Sequence, residues 1–226
     1  GTRNGLTKYD LHTEHFKTHS IKKGTSTTIE DIAEDEKGNL WIATAESGLY
    51  RFDIKTNKFQ SFYFLIPSQK TTNIEFTGKG ILVISTDDKG VFLFNILQNK
   101  KVSIGIKSKN SSSLIVNKLV SEGANQMLLG TNQGVYKLNV PTRIVKPIFS
   151  KLDLKFDLQN VSDLYFEEGV GWFICTKNNG LFIIDEKGVI HHNTEDIFQK
   201  SALLFNELNC IYKDGSGTFW IGSQRG

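Results

Sequence analysis

Apolar residues in this chain come in short runs, and the runs recur in a fixed order. One run is nearly continuous and ends in a small residue followed by Ser or Thr. Polar residues and a Gly come next, then a run alternating apolar and polar positions up to an Asp or Asn. Complete copies occupy residues 40–53 (LWIATAESGLYRFD), 82–95, 127–139 and 172–185. The chain begins inside a copy, at residues 1–10, and ends inside another, at residues 219–226. The turn glycines Gly5, Gly48, Gly90, Gly134, Gly180 and Gly226 are 43, 42, 44, 46 and 46 residues apart. Near-equal spacing over five intervals is an internal repeat, and it decides the fold class before any local propensity does.

Each repeat reads as four short strands. In the first, strand A covers residues 29–34 and an Asp-Glu-Lys-Gly turn follows. Asp begins turns through its side-chain acceptor, and Gly accepts positive φ. Strand B, residues 40–44, is apolar throughout, the mark of burial on both faces. Strand C, residues 49–53, sets Leu49, Arg51 and Asp53 on one face and Tyr50 and Phe52 on the other. A polar hairpin turn at residues 55–58 leads to strand D, residues 59–64. β-branched and aromatic residues dominate these runs, as strands prefer. One segment, residues 196–206, carries a helical pattern, at most an inserted turn. The acidic A–B turn erodes in the second and third repeats to Gly78-Lys79-Gly80 and Gly123-Ala124-Asn125.

Four antiparallel strands at this period make the blade of a β-propeller. A blade cannot bury its own faces, so the large strand-B residue belongs between neighbours. That position holds Trp41, Val83, Leu128, Phe173 and Trp220. The fold class is therefore all-β, with four whole blades (29–73, 74–115, 116–160, 161–207) and one divided between 1–28 and 208–226. The two half-blades admit a ring re-closed with five blades or, the favoured expectation, an arc of a larger ring.

Residues 35–59, DEKGNLWIATAESGLYRFDIKTNKF, resemble the two-component regulator propeller repeat. Residues 214–226 resemble its first half, residues 1–16 its second half, and the middle repeats are weaker copies. WD-type and kelch-type repeats fit worse, since neither a Trp-Asp dipeptide nor a Gly-Gly doublet occurs. The resemblance implies part of a seven-bladed propeller in the extracytoplasmic, periplasmic or extracellular sensor region of a bacterial hybrid histidine kinase. It implies oligosaccharides released from glycans as ligand. It also implies an adjacent propeller, Ig-like domains of the same receptor, or a second copy as partners.

Composition changes this picture little. The formal net charge is +3 and 23% of residues are charged, with no basic run to fit nucleic acid. No window is apolar enough to span a membrane, and no membrane contact or cofactor is expected. The one Met is Met127, so the sequence is expected to be a piece of a longer protein. Cys175 and Cys210 lie in strand-like runs and are expected as buried free thiols.

No standard catalytic motif occurs. His12, His15 and His19 fall on the outer edge of a blade, and His191 and His192 point to opposite faces of a strand. No metal site is expected. Candidate ligand-binding residues instead line one mouth of the channel. The lead position of strand A is polar in all five repeats: Glu30, Thr72, Asn117, Ser162 and Asn209. Asn73, and Asp88, Lys177, Arg3 and Arg225 from the B–C turns, join them. Amides, hydroxyls and carboxylates suit a polar ligand, and they equally suit a solvated channel. The favoured function is a non-catalytic sensor that binds an oligosaccharide. Alternatives are a structural or dimerising segment, and a propeller lyase.

Overall fold

The computed structural model describes residues 1–22, 26–78, 80–106, 114–149, 158–196, 198 and 202–224. All regular structure among them is β-strand. The chain divides into two compact units, Gly1–Ile106 with Ser121–Gln126, and Lys107–Val120 with Met127–Gly226.

The first unit opens with a two-stranded sheet, β1 (Leu6–Asp10) and β2 (His15–His19). Two four-stranded sheets follow in simple meander order. One holds β3 (Ile29–Glu34), β4 (Leu40–Thr44), β5 (Gly48–Asp53) and β6 (Lys58–Ser61). The other holds β7 (Thr71–Thr77), β8 (Ile81–Thr86), β9 (Gly90–Asn95) and β10 (Lys100–Ile104). Trp41 of β4 is fully buried against Phe62 and Phe94, with ring centroids 4.7 and 5.7 Å away. The strand-B position therefore does fill the space between these two sheets. Burial of apolar area on that scale is what holds stacked sheets together.

The second unit repeats the plan. β11 (Val116–Ser121), β12 (Gln126–Thr131), β13 (Gly134–Asn139) and β14 (Ile144–Ile148) form one four-stranded sheet. β15 (Val161–Glu167), β16 (Gly171–Thr176), β17 (Leu181–Asp185) and β18 (Ile190–Asn193) form the next. β19 (Leu208–Lys213) and β20 (Phe219–Ser223) make a separate two-stranded sheet. A core of Leu128, Val135, Leu158, Val161, Leu164, Ile174 and Phe182 ties its first two sheets together.

Two details differ from the expectation. Strand D of the first repeat ends at Ser61, because Phe62 turns inward. Its carbonyl accepts from the N–H groups of Leu65 and Ile66, and its ring is buried against Trp41. Strand A of the second repeat begins at Thr71, ahead of the expected boundary. The helical pattern expected at 196–206 lies in part outside the described residues; Glu195 and Leu203 are joined by a β-bridge.

Candidate functional site

The lead positions of strand A sit on an irregularity that the sequence pattern conceals. β3 pairs with β4 through Ile29↔Thr44 and then Asp31↔Ala43, so Glu30 has no partner. The same one-residue bulge leaves out Thr72, Ser162 and Asn209. A bulge re-aims the side chains at and beside it. At two of these bulges the residue after the bulge turns its side chain to the next sheet. Asp31 accepts from the N–H of Ile32 in its own strand and of Ile74 in β7, at 2.9 Å each. Asp163 accepts from Leu164 and, at 3.0 Å, from Ile211 in β19, and the Lys118 ammonium lies 3.1 Å from it.

Two of the predicted ligand residues do the same work. The Asn117 amide donates to the Val161 carbonyl at 2.9 Å, and the Ser162 hydroxyl donates to the Leu208 carbonyl at 2.7 Å. Thr72 shares a hydrogen bond with Ser85 across its own sheet, and Ser85 also accepts from the Asn73 N–H. Asp88 accepts from the buried Ser68 hydroxyl. Glu30, Asn209, Lys177 and Arg3 are exposed, and the Arg3 carbonyl accepts from Ser26. Arg225 lies outside the described residues. The structure thus brings Asn117, Ser162 and the start of β19 into one series, and gathers Thr72 and Asn73 around Ser85.

A concave site lies at the opposite end of the strands, within the first unit. Glu34, Asp35, Glu36, Lys37, Arg51, Phe76, Thr77, Gly78, Gly80, Ile96 and Leu97 line a cleft open to solvent. Five residues of extended chain put it about 16 Å from Glu30. Asp35 organises one wall. Its carboxylate accepts from the Lys37 and Asn39 N–H groups, the Asn39 amide and the Trp41 indole. Partial burial pushes its pKa up, but the hydrogen bonds from Asn39, Trp41 and Lys37 outweigh that and leave it below the ordinary value. Arg51 lies on aromatic faces, its guanidinium carbon 6.0 Å from the Trp41 ring centre and 5.8 Å from that of Phe62. Its Nη2 donates to Gln60 at 2.8 Å, while its Nε has no acceptor among the described residues. Leu97, a large apolar residue 75% exposed, forms the rim.

Sequence reasoning treated 35–38 only as a turn and missed this cleft. The signal was present in the eroded second repeat, where Gly78 and Gly80 bring no side chain to fill the space and Ile96 and Leu97 replace a polar C–D turn.

The histidines and cysteines do not line the cleft. His15 bonds the Thr13 carbonyl, and His192 lies flat on Phe182 at 4.1 Å and bonds the Asn179 carbonyl. Among the described residues, no three His, Cys, Asp or Glu side chains converge as a metal site. Cys175 is buried, as expected, but Cys210 is exposed. It occupies the position after the β19 bulge, and no further strand lies beyond β20 in that sheet.

Residues 23–46 match the two component regulator propeller family model. The fold is similar to that of the extracellular domain of the putative hybrid two component system BT3049 from B. thetaiotaomicron. That likeness has a TM-score of 0.80 at 18% identity and covers 98% of this chain and 30% of that one. The extracellular domain of BT4673, from the same organism, overlays with a TM-score of 0.79 at 19% identity, covering 99% of this chain and 29% of that one. A virginiamycin B lyase from Staphylococcus aureus shares the propeller plan more loosely, with a TM-score of 0.62 at 10% identity over 86% of this chain and 63% of that one. This chain thus spans about a third or less of those two extracellular domains. No curated protein matches it in sequence. The fold is all-β and propeller-like, and among the described residues no helix is long and apolar enough to cross a membrane.

Proposed function

We propose that this chain is a non-catalytic sensor module on the outer side of a bacterial two-component receptor, and that it binds a glycan-derived oligosaccharide. The observation that carries the reading is the regulator-propeller repeat at residues 23–46, set in a fold that overlays extracellular domains of such systems. Fold alone does not choose a function. The likeness to a lyase is of fold only, and His192, stacked on Phe182, is engaged in packing. A ligand that binds only the folded state raises its stability, by about 2.7 kcal/mol at a hundredfold excess over Kd. A panel of plant, algal and host oligosaccharides should therefore contain at least one member that raises the melting temperature without being consumed. Consumption of the ligand, or no shift with any member, overturns the reading.

A second reading has its own support. Asn117 and Ser162, candidates for contacting a ligand, instead bind the main chain of the next strand. That favours a supporting segment, which contacts a neighbouring propeller, an Ig-like domain or a second copy while the ligand is held elsewhere in the receptor. Binding of the panel by a longer chain, and not by these 226 residues, decides for it.

A further inference from the structure

The geometry points to the cleft at the far end of β3 and β7 as the docking place of an uncharged saccharide, in preference to the strand-lead end. This rests on the oligosaccharide reading above and adds the site and the charge class of the ligand.

The cleft has the form of a small-molecule site. Like ligand pockets, it combines apolar lining with a few polar groups. Phe76, Ile96 and Leu97 supply apolar lining, and Glu34, Glu36, Lys37 and Arg51 supply polar lining. A sugar ring presents the same two characters. Its C–H face lies against aromatic or aliphatic surface, and its hydroxyls donate to carboxylates and accept from ammonium and guanidinium groups.

Charge narrows the class. Among the described lining residues, carboxylates (Glu34, Asp35 and Glu36) stand beside cations (Lys37 and Arg51). The Asp35 carboxylate already accepts hydrogen bonds from Lys37, Asn39 and Trp41. An anionic ligand meets the two glutamates, and a cationic one meets Lys37 and Arg51. A neutral polyhydroxylated ligand meets neither penalty and uses both sets. Arg51 is suited to a fixed wall, because the Trp41 and Phe62 rings and Gln60 hold it in place before any ligand arrives. At the other end of the strands, by contrast, Asn117 and Ser162 are already bonded to main chain.

Calorimetric titration of the chain with maltotriose, cellotriose, xylotriose and mannotriose, and with anionic trigalacturonate, tests the inference. Leu97→Asp and Glu36→Gln alter exposed side chains, so the fold should persist, and an unchanged melting temperature verifies it. Both should weaken binding of the preferred neutral trisaccharide about tenfold or more. Lys177→Ala and Asn209→Ala should leave it within about twofold. Loss of binding in Lys177→Ala or Asn209→Ala, with Leu97→Asp and Glu36→Gln unaffected, overturns the site while the sensor reading stands. Preference for trigalacturonate overturns the charge class. No binding by any of the five sugars overturns this inference and counts against the oligosaccharide reading itself.

Discussion

The hydroxyl that closes each strand B does more than end an apolar run. Thr44, Thr86, Thr131 and Thr176 donate to the carbonyls of Gly48, Gly90, Gly134 and Gly180 at 2.6–2.9 Å. The same oxygens accept from Ser47, Lys89, Gln133 and Asn179 N–H groups. A buried hydroxyl needs such partners, and here they fix the B–C turn. The turn glycine is equally determined at Gly180, where φ is 70° and an added Cβ would lie 2.2 Å from the Asn193 carbonyl oxygen. Asp35 does for the A–B turn what these threonines do for the B–C turn, but with a charge. Its folded-state pKa lies below the ordinary 3.8. The stabilisation it supplies is therefore present above that value and is lost as pH falls through the lower folded value. Stability measured by denaturant titration should decline on the acid side of pH 4, and Asp35→Asn should flatten that decline while lowering stability at neutral pH.

Strands were legible because their apolar runs and turns are set by local chemistry. Strands β3 and β4 fall on the residues the pattern indicates, and the polar lead position of strand A was visible as a column. Its meaning was not. A bulge is a relation between two strands, and nothing in IEDIAE alone says that Glu30 goes unpaired. The bonds from Asp31 to Ile74 and from Asp163 to Ile211 span 43 and 48 residues, beyond the reach of any local pattern. The same limit hid the inward turn of Phe62, whose partner Phe94 belongs to another sheet. The β15–β19 junction gives this a measurable form. Asp163 is buried and accepts from two main-chain donors, with Lys118 beside it. Asp163→Ala strands all three, and chemical denaturation should show a loss of about 2–4 kcal/mol. A loss below about 0.5 kcal/mol, the size of an ordinary surface change, would mean that apolar packing alone holds the junction.

At the scale of the whole chain, the two cysteines report how closed the second unit is. Burial, with the negative Asp163 and Cys210 nearby, pushes the Cys175 thiol up to about 12, whereas Cys210 is exposed. Thiolate is the reactive form. At pH 8 a thiol reagent should modify the native chain rapidly at Cys210, and at Cys175 only as fast as the unit opens. Denaturant should make both react together, which peptide mapping after timed quenching would show. Equal rates in the native state would indicate that β16 is not sealed by its neighbours.

The junctions between successive sheets have a further consequence. Asp31, Asn117, Ser162 and Asp163 all bind main-chain N–H or C=O groups in the first strand of the following sheet. Every residue offers a carbonyl and every residue but proline an N–H, so these contacts place almost no demand on which side chains the neighbour carries. A repeat can be duplicated, exchanged or allowed to drift, as the second and third have drifted, without rewriting the one before it. The inner strands therefore work as a standard coupling, and sequence variation is free to collect in the turns, where the cleft beside Gly78 and Gly80 arose.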